Sequence, residues 1–252
     1  MRRSDGQAGQ IGRTSASGYR VRNRLLLSIP DTEFLVVRPH LEFLRLPHRC
    51  ILHEQNEKLR FAYFLNSGLI SLMIETREGK TVEVGTVGNE GIVGMQLAVG
   101  LTRSPLREVV QIAGDGFNIK PPLLQNALLS TPFLRSILNR YSVLQGLQIA
   151  QTAACNRLHN VEQRFARWLL MFQARSDSDS LVITHDFLAA MLGTDRPSIS
   201  LAARNFQRRQ VIEYKRGAVK ILSRRKLEKL ACECHAVIQQ ISAESDLKGA
   251  TK

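Results

Sequence analysis

The sequence predicts an α+β chain in three parts: a β-roll of the jelly-roll type, a long amphipathic helix and a C-terminal winged helix-turn-helix. Three observations carry this expectation. Short apolar runs between residues 66 and 116 are separated by glycine-bearing turns, as in a small antiparallel barrel. Apolar side chains then recur at threes, fours and one seven from Phe133 to Leu158, a helical period. Finally, a helix, a short glycine turn, a second helix and a hairpin follow one another between residues 186 and 221.

The composition fits such a chain. At roughly 150 residues per domain, 252 residues make one large or two ordinary domains. With 44% hydrophobic residues there is enough apolar side chain for a real core. No uncharged apolar run reaches the roughly 18 residues of a membrane span. The charge-free stretch from Tyr141 to Asn156 carries four Gln or Asn. No apolar segment follows the first arginines, so no signal peptide is expected. Four cysteines are too few for a disulfide scaffold, and a reducing cytoplasm is the expected location.

Charge points to a partner. Thirty-five Lys and Arg against 22 Asp and Glu leave a net +13, which attracts a polyanion. The excess sits at two places. Residues 1–24 hold six Arg and one Asp, and residues 157–229 hold 15 basic against seven acidic residues.

Taken in order, residues 1–22 are Arg, Gly, Ser and Gln with little to bury, and they read as a disordered basic arm. Residues 23–132 form the β-roll. A helical stretch comes first, then a strand in LEFLRL (41–46), with further strands in LISLMIE (69–75) and TVEVGTV (81–87). Turns are expected at Asn66–Gly68, Glu78–Lys80, Gly88–Gly91 and Gly114–Gly116. Residues 133–160 form the long helix. Its two-sided apolar character needs a second surface, which a partner subunit supplies most simply.

Residues 161–230 are the most informative. A helix is expected from Val161 to Gln173, with Phe165, Trp168, Leu169 and Phe172 on one side, and a short strand follows at Leu181–Ile183. Thr184 caps a helix from Asp186 to Leu192, and Gly193 ends it. Thr194 and Asp195 cap the next helix, with Pro197 in its first turn and Ile199, Ala202, Ala203 and Phe206 as its core stripe. Glu213 to Ile221 is a hairpin with Lys215, Arg216 and Gly217 at its tip, the wing of a winged helix. Residues 231–252 are a C-terminal tail. In this geometry the N-terminal residues of the second helix meet base edges, and wing cations meet phosphates.

The order of parts resembles the Crp/Fnr family of bacterial transcription regulators over about residues 23–235. The resemblance is carried by QTAACNRLHN (151–160), RFARWLL (164–170), LAAMLG (188–193), YKRGAVKI (214–221) and LEKLACECH (227–235). It implies a cyclic-nucleotide-binding-like β-roll and a homodimer formed through residues 133–160. It also implies double-stranded DNA with a pseudo-palindromic operator as target, and RNA polymerase as a further partner. The family's first base-reading arginine falls on Arg196, able to grip guanine O6 and N7 bidentately. Its neighbouring glutamate falls on Pro197 and a later arginine on Leu201, so the family's best-known operator does not carry over. Thr194, Asp195, Arg196, Ser198 and Ser200 are expected on the base-reading side, and Arg204, Lys215 and Arg216 near phosphates. Arg208, Arg209, Arg224, Arg225 and Lys226 read as a solvated face.

On the effector side, family members that bind cyclic nucleotides use a Gly-Glu pair on the ribose and an Arg followed by Ser or Thr on the phosphate. Here the matching positions are Gly94 with Met95, and Arg103 with Ser104. A cyclic phosphate without its ribose partner loses a charge-assisted hydrogen bond of about 1.5–3 kcal/mol. The pocket reads as degenerate, and no cofactor is expected. Glu90 as a replacement is disfavoured by the turn around it. An iron–sulfur cluster of the N-terminal type has no cysteine in the first 49 residues to hold it. Cys232, Cys234 and His235 form a C-x-C-H group that lacks a fourth ligand, so no metal is expected, and Cys155 reads as core or dimer seam.

The alternatives are a cyclic-nucleotide-, redox- or metal-responsive regulator of the same fold, and a non-specific RNA-binding protein. The second should interleave exposed aromatics with cations. A cupin-type enzyme would need a closer histidine pair than His48 and His53 beside Glu54. No P-loop and no Gly-x-Ser-x-Gly elbow occurs, so no enzyme is expected.

Overall fold

A computed structural model describes residues 12–176, 180–215 and 217–244. Two short helices, α1 (Arg24–Ser28) and α2 (Asp31–Val37), precede the roll. Eight strands follow: β1 (Glu42–Leu46), β2 (Ile51–His53), β3 (Ala62–Leu65), β4 (Leu69–Glu75), β5 (Thr81–Val87), β6 (Ile92–Val93), β7 (Arg107–Ile112) and β8 (Gly114–Ile119). They pair antiparallel in two sheets, β1-β8-β3-β6 and β2-β7-β4-β5, a jelly-roll order. The expected roll is therefore present.

Strand β4 explains its own sequence. Its near-continuous apolar run is buried on both faces. Ile70 and Leu72 fill the roll, whereas Leu69 and Met73 join the core of the C-terminal domain. That domain is thus packed directly on the outer face of the roll. Trp168 Nε1 donates to Glu83 Oε1 on β5 at 3.2 Å, and the Ser71 hydroxyl of β4 donates to the same carboxylate.

Two expectations are corrected here. Gly114 and Gly116 are not a turn but part of β8. A Cβ on Gly114 would lie 2.2 Å from the Ser67 carbonyl oxygen, and one on Gly116 would lie 2.4 Å from that of Phe64. Glycine is there for close strand approach. The disordered arm expected over residues 1–22 is also corrected for its second half. Residues 1–11 lie outside the described residues, but 12–22 are packed on the roll. Arg13 donates to the Leu26 and Ile29 carbonyls, each at 2.6 Å, and pairs with Asp31. Tyr19 stacks on Phe43 with ring centroids 3.8 Å apart, and Val21 is buried. A polar composition misled because the arginine serves as a cap for helix carbonyls rather than as a solvated charge.

Helix α3 (Pro121–Ser130) leads into the long α4 (Pro132–Leu158). The free amides at the start of α4 are capped from far away in sequence. The buried Glu33 carboxylate of α2 accepts from Phe133 N at 2.9 Å and Leu134 N at 2.8 Å. One face of α4, with Ile137, Tyr141, Leu144, Thr152 and Cys155, is buried on the rest of the chain. Val143, Leu147 and Leu158 on the other face are at least half exposed, at 63%, 50% and 74%.

Beyond α4 come α5 (Val161–Ser176), β9 (Ser180–Val182), α6 (His185–Met191), α7 (Arg196–Arg208), β10 (Ile212–Lys215), β11 (Ala218–Ile221), α8 (Arg224–Leu230) and α9 (Cys234–Glu244). Strands β10, β11 and β9 form a small antiparallel sheet. Among the described residues, no helix is long and apolar enough to cross a membrane.

Candidate nucleic-acid interface

The interface is built on α6, α7 and the β10–β11 wing. The Thr184 hydroxyl caps α6, accepting from Phe187 N at 3.2 Å. Gly193, with φ +56°, lets the chain turn, and the Asp195 carboxylate caps α7, accepting from Ser198 N at 2.7 Å. That hydrogen bond pulls the Asp195 carboxyl below its ordinary range. The core stripe of α7 (Ile199, Ala202, Ala203 and Phe206) is fully buried, with Phe206 stacked on Phe165.

This stripe fixes what α7 presents outward. The 100° step of a helix places Pro197, Leu201, Arg204 and Arg208 opposite the buried face. Leu201 is 53% exposed, and a shallow groove is lined by Leu201, Arg204, Gln207 and Arg208. Arg196 is exposed at the start of the helix, with Nε 3.6 Å from Asp186 Oδ1. Ser198 and Thr194 are half-buried. Ser200 is half-buried too and its hydroxyl faces His185 Nδ1 at 2.9 Å, so it braces α6 against α7. Arg208 contacts Asn205, which itself donates to Glu162. Arg208, expected as part of a solvated face, is exposed, and the core period places it on the outward stripe. Lys215 is exposed on the wing and paired with Glu213, which raises the lysine pKa and lowers that of the glutamate. Arg216 lies outside the described residues.

His185 ties the interface together. Its ring packs on Tyr214 of the wing at 4.3 Å, and the Tyr214 hydroxyl donates to the Ile183 carbonyl at 3.0 Å. Burial, and then the charge of Arg196, push His185 below its ordinary 6.5, so the fold holds the neutral imidazole. The associated stability is complete above the unfolded-state value and is lost as pH falls from there toward the depressed folded value. His185→Gln should therefore flatten the acid limb of stability. Urea midpoints measured between about pH 7 and pH 5.5 should fall less in the variant than in the parent. Equal falls would assign the titration to another group.

The expected effector positions do not converge on a phosphate cradle. Gly94 has φ +76° and a Cβ there would lie 2.8 Å from the Phe61 carbonyl oxygen. Met95 is buried and opens a 3-10 turn, Met95–Val99. The exposed Arg103 donates to the Asn56 carbonyl at 2.6 Å. Ser104 is buried, and its hydroxyl accepts from Gln96 at 3.1 Å and from Leu106 N at 3.1 Å. Glu90 accepts from Gly88 N at 3.0 Å inside the expected turn. Inside the roll, His53 contacts Glu108, 55 residues away and both buried, rather than acting with His48 or Glu54. Burial, then the neighbouring Glu108 charge, push the Tyr63 phenol up to about 12.

The C-x-C-H group divides. Cys232 and Cys234 meet Cys155 of α4 and His159 at its C-cap, with one sulfur or ring nitrogen from each of the four within 4.8 Å of the others, and His235 is not among them. The sequence arrangement concealed this meeting because Cys155 and His159 lie more than 70 residues before Cys232.

Residues 163–230 match the family model of the Crp-like helix-turn-helix domain. No curated protein sequence matches the chain. Solved structures do match. A protein from Eubacterium rectale described as a regulator of the Crp/Fnr family is similar with a TM-score of 0.67 and 17% identity, covering 82% of this chain and 96% of its own. FixK2 from Bradyrhizobium japonicum is similar with a TM-score of 0.65 and 12% identity, over 76% of this chain and 98% of its own. The c-di-GMP-responsive global regulator CLP of Xanthomonas campestris has a TM-score of 0.64 and 17% identity, over 77% of this chain and all of its own.

Proposed function

We propose, from the premise that residues 163–230 are a Crp-like helix-turn-helix domain on a chain with the Crp/Fnr regulator fold, that this protein is a homodimeric, sequence-specific DNA-binding transcription regulator. The observation that carries the reading is the outward face of α7. Arg204 and Arg208 stand along it, with Arg196 at its N-terminal end and a cationic wing beside it, on a domain that supplies more than half of the chain's net positive charge. Arg196 reads a base edge, since its guanidinium stands free of the core at the N-terminal end of the helix. Arg204, Arg208 and Lys215 hold phosphates. Asp195 and Ser200 shape the helix instead of touching DNA, because their polar atoms are engaged by Ser198 N and His185. The dimer forms through the exposed face of α4, and two α7 helices enter successive major grooves about 34–36 Å apart. From such a site the protein would act on RNA polymerase.

Cyclic-nucleotide control is disfavoured by the same reading. The phosphate-binding arginine of that chemistry is here tied to the Asn56 carbonyl, and a buried methionine replaces the ribose carboxylate. Enzymatic activity is not part of the proposal.

Selection of bound sites from random duplexes by the purified protein, at physiological salt and without added ligand, tests it. An inverted repeat with half-sites one helical turn apart is the expected product. Salt-sensitive binding without enrichment would favour a non-specific nucleic-acid binder. On the selected site, Arg196→Ala should cost about 1–3 kcal/mol at one base position and relax preference there. Lys215→Ala should instead weaken all duplexes alike and reduce the salt slope by about one. Reversed outcomes would exchange the two roles.

A further inference from the structure

The end of α4 and the connection between α8 and α9 bring four soft ligands together. Cys155 lies in the last turn of α4, and His159 is its C-cap residue four positions on, with its backbone N–H donating to the Cys155 carbonyl, so the two meet at the end of the helix. Cys232 and Cys234 flank Glu233 just before and at the start of α9. The three cysteines are buried. The Cys155 and Cys232 sulfurs are 3.5 Å apart, and Cys234 Sγ lies 3.6 Å from His159 Nδ1. A tetrahedral zinc ion with Zn–S of about 2.3 Å and Zn–N of about 2.0–2.1 Å requires S–S edges of about 3.8 Å and S–N edges of about 3.5–3.6 Å. These two separations lie within a few tenths of an ångström of those edges, and all four atoms lie within 4.8 Å of one another.

We propose that Cys155, His159, Cys232 and Cys234 form a Cys3His zinc site that fastens the C-terminal helix to α4. The surroundings support this beyond the four ligands. His159 Nε2 lies 3.1 Å from a Glu233 carboxylate oxygen, which fixes the proton on Nε2 and turns the Nδ1 lone pair toward the sulfurs. Gln151 Nε2 donates to Cys234 Sγ at 3.0 Å, a bond that favours thiolate. Binding converts three thiols to thiolates and releases three protons to solvent, leaving a site of net charge −1. Arg164 and Arg167 of α5 are buried beside the site, and both act electrostatically on Cys155. Their positive charge compensates it. The four atoms are too close together for a multinuclear iron–sulfur cluster, whose ligands sit on different irons. Four protein ligands leave no open coordination position, so the site is structural rather than catalytic.

The full chain, purified without chelator, should carry one zinc per chain by elemental analysis. Zinc removed by chelation should be replaceable by cobalt(II), giving the visible absorption of tetrahedral cobalt–thiolate. Chelation should lower the unfolding temperature, and added zinc should restore it. Cys234→Ser and His159→Gln should each weaken cobalt binding by about tenfold or more, whereas Cys50→Ser, remote from the cluster, should leave it unchanged. Circular dichroism confirms that each variant is folded. If Cys234→Ser does not fold, His159→Gln and cobalt titration of the parent decide. A folded parent with no stoichiometric metal and no cobalt spectrum would overturn the proposal. So would a Cys155–Cys232 disulfide in place of metal, or a cobalt spectrum indifferent to both ligand substitutions.

Discussion

Phe206→Ala should destabilise the winged domain by about 3–5 kcal/mol, the largest effect expected of any single truncation in it. Phe206 is fully buried in the last turn of α7, and its ring lies parallel to that of Phe165 with centroids 5.3 Å apart. Removing it forfeits the transfer energy of a whole ring and leaves a cavity between α5 and α7, bounded by helices that cannot collapse without losing Ala202 and Ala203 as close contacts. If α7 is the helix that meets DNA, as proposed, affinity should fall together with stability. Denaturant titration followed by circular dichroism checks the first, and operator binding the second. A loss below about 1 kcal/mol would mean that α7 repacks, and that its outward face is not set by this core.

Leu147→Glu should abolish the proposed dimer. Leu147 lies mid-helix on the half-exposed face of α4, with Val143 one turn before it. If that face is the seam, a symmetric interface places two new carboxylates together in an apolar contact, and each must be desolvated at several kcal/mol. At about 1.4 kcal/mol per decade, operator affinity should fall by at least about a hundredfold, because a monomer reads a single half-site. Sedimentation equilibrium shows the change of mass, and binding to whole and half operators shows its consequence. A variant that stays dimeric with unchanged affinity would place the seam elsewhere.

How far the sequence carried the structure depended on how local the deciding physics is. Thr184, Gly193, Asp195 and Pro197 punctuate α6 and α7 by interactions spanning three or four residues, and each was legible. The same holds for the wing, whose Gly217 takes the positive φ its turn requires. Gly114 and Gly116 were misread because a glycine looks the same whether it serves a turn or makes room for another strand's backbone. Glu33 gave no local sign that it caps α4 one hundred residues later, and neither did Glu108 that it would meet His53. Polar composition suggested disorder for residues 12–22, although Arg13 and Val21 anchor them. At the interface, family correspondence pointed to Leu201, which the fold does turn outward, whereas the hydroxyl of Ser200, expected on the base-reading side, faces His185, a contact between two helices that the sequence alone does not show. The Cys and His ligands were separately visible, but their meeting depends on α9 lying along α4.

The chain has one tryptophan. It is buried where the C-terminal domain rests on the roll, its indole proton on the Glu83 carboxylate and its ring against Phe172 at 5.1 Å. The protein thus carries a single indole, which can be excited apart from its tyrosines, at its domain boundary, beside a carboxylate and shielded from water. Lifting the winged domain off the roll would break that hydrogen bond, admit solvent and move the emission to longer wavelength. Domain opening by DNA, by a small molecule or by acid can therefore be timed by stopped-flow fluorescence in the unlabelled protein.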